Sequence, residues 1–302
     1  MGNIWTHWAT YSLLHAAQDG DAQEVEYLLR GKRADANGAY GFTPLYLAAK
    51  RGHEKVVELL LNEEGILVNK AIDGGVTPLY IAASNGHSKV VEFLLRKEGV
   101  EVNKVVPPYK AEGCGDIPLN AAAFNGHTQV VELLLTKEGI EVNWESTNGY
   151  TPLYCAAQNG HHKIVELLLG HNDVQVNYAV LAAQSTPLHV SAYMGHEKIV
   201  ELLLSKVGIQ VNSLLINGDT PLYLAAKEGH DKVVQLLLKK DGIQVNLQYL
   251  QIAAQRRHGR VVEMLLRRQE FRGLGWNGWR PHRRNPQPCQ LPIRYAGPRI
   301  FM

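Results

Sequence analysis

Histidines are the side chains best placed to do acid–base or metal chemistry in this 302-residue chain, and six of its 13 share one context. They follow glycine in Gly52-His53, Gly86-His87, Gly126-His127, Gly160-His161, Gly195-His196 and Gly229-His230, at steps of 34, 40, 34, 35 and 34 residues. A metal centre or a proton relay needs several groups converging on one point. Histidines a whole structural unit apart do not converge, so they read as helix-start residues. His53-Glu54 and His196-Glu197 open like an H-E-x-x-H zinc motif, but Val57 and Val200 stand where the second ligand belongs. Gly273, Gly275 and Gly278 spell a dinucleotide fingerprint without its context. An arginine-rich helix end precedes them and Trp279-Arg280-Pro281 follows, where a strand and a helix are required. No phosphate-binding G-x-x-x-x-G-K-S/T loop exists, and neither order nor spacing suggests a Ser–His–Asp set. Met1 to Thr6 fits the N-myristoylation pattern with Gly2 as acceptor, although one acyl chain anchors weakly. The expectation is a non-enzyme with no catalytic residue, no metal ligand and no cofactor.

Charge and cysteine usage narrow the class further. Six arginines and no acid lie in Phe271 to Met302, so the first 270 residues hold 25 basic and 29 acidic side chains, a balance of −4. A mildly acidic body lacks the basic face of a nucleic-acid binder, so nucleic acid is not the expected partner. Cys114, Cys155 and Cys289 are odd in number and far apart, which fits neither a disulfide framework nor a zinc site. No secretory pattern opens the chain, and no apolar run is long enough to span a membrane. The chain reads as soluble and intracellular, in the cytoplasm or the nucleus.

The histidines are one signature among three that keep register. Thr43-Pro44-Leu45-Tyr46 recurs as Thr77-Pro78-Leu79-Tyr80, Ile117-Pro118-Leu119-Asn120, Thr151-Pro152-Leu153-Tyr154, Thr186-Pro187-Leu188-His189 and Thr220-Pro221-Leu222-Tyr223. Val68-Asn69, Val102-Asn103, Val142-Asn143, Val176-Asn177, Val211-Asn212 and Val245-Asn246 close the units. Thr43 can cap a helix whose first position suits Pro44. Ala48-Ala49 keep that helix thin, and Gly52 ends it. Val56, Val57, Leu59, Leu60 and Leu61 then form a second helix with an apolar arc wide enough for two neighbours. A turn at Glu63-Glu64-Gly65 leads into a short hairpin. The 40-residue step contains an insertion, Val105 to Ala111, that lengthens one hairpin loop, and Gln184 replaces the hairpin glycine in the unit of Thr186.

This T-P-L-x, G-H, V-V-x-L-L-L, V-N pattern resembles the ankyrin-repeat family. The resemblance covers residues 11 to 270 and implies an all-α solenoid of about eight helix-turn-helix units joined by short β-hairpin loops. Residues 1–10 precede it as an N-terminal segment, and 271–302 follow as a basic tail read as disordered. The end units are degenerate. Glu24 stands where internal units carry valine or isoleucine, and Arg257 stands where the glycine of Gly-His belongs. The second helix of the last unit keeps the internal pattern in Val261, Val262, Met264, Leu265 and Leu266, which leaves apolar surface to cover. Either Phe271, Leu274, Trp276 and Trp279 fold back as a cap, or the array continues in a longer protein, or the chain self-associates; the first is the expectation.

What the resemblance implies for function is protein–protein interaction, as a module or scaffold that holds a macromolecular partner on the concave face. The alternative is a regulatory or substrate-recognition part of a larger enzyme or signalling protein. The face is implied to combine hairpin tips with the positions just before Gly-His. The candidate partner-binding residues are therefore Tyr40, Phe42, Asp73, Val76, Asp116, Asn148, Tyr150 and Asp219 before the Thr-Pro-Leu signature, and Lys50, Arg51, Phe124, Gln158, Tyr193, Met194, Lys227 and Glu228 before Gly-His. Aromatic and cationic side chains of this kind are enriched in interface hot spots.

Overall fold

The computed structural model describes residues 2–31, 33–39, 41–72, 74–107 and 117–268. Eight helix pairs follow one another. They are α1 (Gly2–Asp19) and α2 (Ala22–Arg30), α3 (Pro44–Arg51) and α4 (Glu54–Leu61), α5 (Pro78–Ser84) and α6 (Ser88–Arg96), and α7 (Pro118–Asn125) and α8 (Thr128–Leu135). The second half continues with α9 (Pro152–Gln158) and α10 (His162–Gly170), α11 (Pro187–Met194) and α12 (Glu197–Leu204), α13 (Pro221–Glu228) and α14 (Asp231–Leu238), and α15 (Leu247–Gln255) and α16 (Gly259–Leu266). Odd-numbered helices stack in one row and even-numbered helices in another, and each pair packs mainly on the pairs beside it. This is the solenoid that the repeat implies: one unit cannot bury its apolar faces alone, and stacked units make a continuous core.

Local chemistry explains the boundaries. The Thr43, Thr77, Thr151, Thr186 and Thr220 hydroxyls accept the backbone N–H three residues on, at 2.9 to 3.4 Å. Ile117 has no hydroxyl to offer and is instead wholly buried. Helices α3, α7, α11 and α13 end on left-handed glycines. On the outer row, Val56, Val57 and Leu60, and their counterparts Val130, Val131 and Leu134, are buried between neighbouring helices.

Five features differ from the sequence reading. Residues 2–10 are helical and continuous with the first unit, so α1 runs 18 residues and stands where a hairpin would otherwise enter that unit. A loose N-terminal segment lying on the first unit would bury its tryptophans, whereas Trp8 on α1 is 62% exposed. The hairpin loops are turns too short to pair as strands. Ile72, Ser146 and Leu215 each donate a backbone N–H across their loop, to Val76, Tyr150 and Asp219 at 2.9 to 3.1 Å, and Val180 and Ser185 form an isolated antiparallel bridge. Cys155, buried in α9, is disulfide-bonded, against the expectation from three dispersed cysteines. The two other cysteines lie outside the described residues, as do the tail from 271 and its proposed cap.

The fifth difference concerns the last unit, which α15 opens soon after α14 with no hairpin loop of its own. Asn246, which closes the seventh unit, also caps α15 by accepting the Gln248 N–H at 3.0 Å. Among the described residues, Arg257 and Gln184 are the non-glycine residues with positive φ, at 64° and 55°. Both occupy positions where the repeat calls for glycine, so the chain keeps the left-handed turn even without the residue that favours it.

Candidate functional site

The Gly-His histidines are joints between units. The Nε2–H of His53 donates to the Gln18 carbonyl at 2.9 Å, that of His87 to Lys50 at 3.1 Å, and that of His127 to Ser84 at 2.8 Å. His161, His196, His230 and His258 do the same to Phe124, Gln158, Tyr193 and Lys227, at 2.9 to 3.1 Å. Each ring also lies against the glycine of the preceding unit. A Cβ on Gly126 would meet the His161 ring at 2.6 Å. The glycine is thus required twice, for its φ of 83° and for the space its missing side chain leaves.

A second row of joints runs along the loops. The side-chain amide of Asn69 donates to the Gly99 carbonyl at 2.6 Å while its oxygen accepts the Glu101 N–H at 2.9 Å. Asn37, Asn103, Asn143, Asn177 and Asn212 repeat that two-way bond to the next unit. A third row binds the outer helices. The ammonium groups of Lys97, Lys137 and Lys240 donate to the carbonyls of Leu61, Leu95 and Leu204, in the last turn of the outer helix one unit back.

These joints hold the backbone of the candidate residues while leaving their side chains free. Lys50, Phe124, Gln158, Tyr193 and Lys227 each give a carbonyl to the histidine of the following unit. Their side chains face outward to different degrees. Lys50 and Arg51 are exposed, Tyr193 and Met194 are 40% and 42% exposed, and Phe124, Gln158, Lys227 and Glu228 are half-buried. In the loops, Phe42 is 48% exposed and Asn148 is exposed. Tyr150 is half-buried and stacked on Tyr154, with ring centroids 5.0 Å apart. Asp219 is half-buried and bonded to Asn217 at 3.0 Å; burial raises its carboxyl above the ordinary range. Val76 is a correction. It is 6% exposed and packs in the core, because the turn closed by Ile72 and Val76 points it inward. Tyr40, Asp73 and Asp116 lie outside the described residues.

Inner surface that the motif-based reading passed over comes from two places. Tyr11, His15 and Gln18 on α1 line a cleft with Phe42 and Leu47. Their spacing of four and three residues puts them on one face of the first helix, a signal present in the sequence. Leu181, Leu214 and Ile216 stand exposed on adjacent loops, joined by a bond of 3.1 Å from the Ile216 N–H to the Ala183 carbonyl.

Two units carry a wholly buried polar side chain at the fourth position of the Thr-Pro-Leu signature: Asn120, which donates to the Tyr150 carbonyl at 2.9 Å, and His189. His189 replaces the tyrosine found in four other units. Its Nδ1 meets Thr186 at 2.8 Å and its Nε2–H donates to the Ser213 carbonyl at 3.0 Å. Burial lowers its pKa from 6.5 to about 4, so the ring is neutral at physiological pH and belongs to the fold.

Comparison with known proteins agrees with this architecture. The family model for ankyrin repeats in three copies matches residues 13–106, 106–180, 177–249 and 212–274. Among curated proteins no sequence matches. The crystal structure of the human ASB11 ankyrin repeat domain superposes with a TM-score of 0.64 at 26% identity, covering 77% of this chain and 99% of that one. Ankyrin repeats are generally protein-interaction modules rather than catalysts. With family models matched across nearly the whole array, the chain belongs to the ankyrin-repeat family.

Proposed function

We propose that this chain binds a protein partner on its concave face, through the inner-helix ends and loop tips that carry Phe42, Lys50, Arg51, Phe124, Asn148, Tyr150, Gln158, Tyr193, Met194, Asp219, Lys227 and Glu228. The observation that carries the reading is the division of labour within each unit. A histidine, a glycine and an asparagine repeat and are spent on inter-unit joints. The side chains between them vary from lysine to phenylalanine to tyrosine at equivalent places on a backbone held by those joints. A rigid frame with variable side chains favours affinity because little order remains to be lost on binding. Tyr40, Asp73 and Asp116 belong to the same proposed set by their place in the repeat. Among the described residues no helix is long and apolar enough to cross a membrane.

The test is affinity capture from the native cell with the full chain as bait. The control bait carries Phe42→Ala, Tyr193→Ala and Met194→Ala. A protein retained by the first bait and lost from the second supports the concave face. Identical capture by both baits would place binding elsewhere on the solenoid.

A further inference from the structure

The first two units carry a surface whose chemistry specifies what it would hold. On α1, Tyr11, Leu14, His15 and Gln18 fall on one helical face, with Tyr11 edge-on to the His15 ring at 4.5 Å. With Phe42 and Leu47 they line an open cleft of about 470 Å3. That is within the size range of ligand sites, roughly 300–1,000 Å3. Lys50 and Arg51 follow Leu47 by three and four residues on α3, so they stand one turn farther along the same face. Both are exposed, and neither ammonium nor guanidinium meets a carboxylate within 4.0 Å among the described residues. Asp19 is the single carboxylate on α1 and α3, and it pairs with neither. Nearby on the outer row the pattern is opposite, since Lys55 is held by Glu58 at 2.9 Å.

We infer that this cleft docks a short segment of a partner protein that inserts an apolar side chain between α1 and α3 and sets a carboxylate on Lys50 and Arg51. The inference rests on the concave-face reading and names the chemistry of its partner. The lining is aromatic and aliphatic, which fits a Leu, Met or Phe anchor. The two unpaired cations next to it select acid over base through like-charge cost as much as attraction. The opening leaves room for a peptide backbone to continue across the inner face. The chain's own C-terminal segment, with six arginines and no acid after Phe271, has the wrong charge for this place.

Phage-displayed random dodecapeptides selected against the full chain test the inference, with enriched peptides titrated by fluorescence anisotropy. The expected peptides carry an apolar anchor with Asp or Glu within four residues. Their affinity is expected to fall about tenfold or more in the Lys50→Glu/Arg51→Glu double variant, and to weaken as salt rises. Phe42→Ser is expected to weaken them through the anchor, while Lys55→Glu on the outer row leaves them unchanged. Failure to enrich peptides, enrichment of peptides without acid, or indifference to Lys50→Glu/Arg51→Glu overturns the inference. Peptides lost instead in Tyr193→Ala/Met194→Ala overturn this cleft while keeping the concave face. Peptides lost in Lys55→Glu alone overturn both.

Discussion

At the scale of the residue, two left-handed backbone positions carry the sharpest consequences. Gly126→Ala places a methyl group in a left-handed backbone and against the His161 ring, so it is expected to cost at least about 1–2 kcal/mol. Arg257→Gly removes a side chain from a left-handed backbone and is expected to raise stability by about 1 kcal/mol. Denaturant midpoints of the two variants should move in opposite directions; a shared direction contradicts the conformational argument. His189 adds a pH dependence of known sign. Its folded pKa of about 4 lies below the ordinary 6.5, so the unfolded chain binds the proton first. Its contribution is complete above pH 6.5 and is lost as pH falls toward 4, by roughly 3 kcal/mol in all. Urea midpoints at pH 7 and pH 4.5 are expected to show a smaller acid loss in His189→Tyr than in the native chain. The isolation of the Gly-His histidines was legible in their spacing. Their carbonyl partners were not, because a contact one unit back has no mark in the local sequence.

At the scale of the element, the helix starts at threonine-proline and the stops at glycine were readable, since caps act through neighbouring backbone. The length of α1 was not, because no capping residue marks its first turn and the repeat register begins only at Leu13. Val76 misled for a related reason. Its position in the motif is that of a loop tip, yet one residue of turn geometry decides whether it points outward. The register of the outer helices is testable through Leu134, which has no exposed surface. Leu134→Ala is expected to cost about 2–5 kcal/mol, and Lys50→Ala less than about 0.5 kcal/mol. Equal losses in thermal or chemical unfolding would show the helix faces to be misassigned.

At the scale of the whole molecule, each unit leans on its neighbours alone, so the particle is elongated and its inner face continuous. Small-angle scattering should report an extended shape, and a compact sphere would contradict the stacking. The fold by itself does not name the partner, because one fold hosts many functions. The information that does resides in the side chains left over after the joints are made. The most direct measurement is therefore a titration of a captured partner against two multiple variants of equal size. One carries Phe42→Ala, Arg51→Glu, Tyr193→Ala and Met194→Ala on the inner face. The other carries Lys55→Ala, Gln129→Ala, Lys163→Ala and Lys198→Ala on the outer row. The expected result is that both keep a native melting temperature to within about 3 °C, and that only the inner variant loses the partner. Loss of binding in the outer variant, with the inner one intact, would contradict the concave-face account.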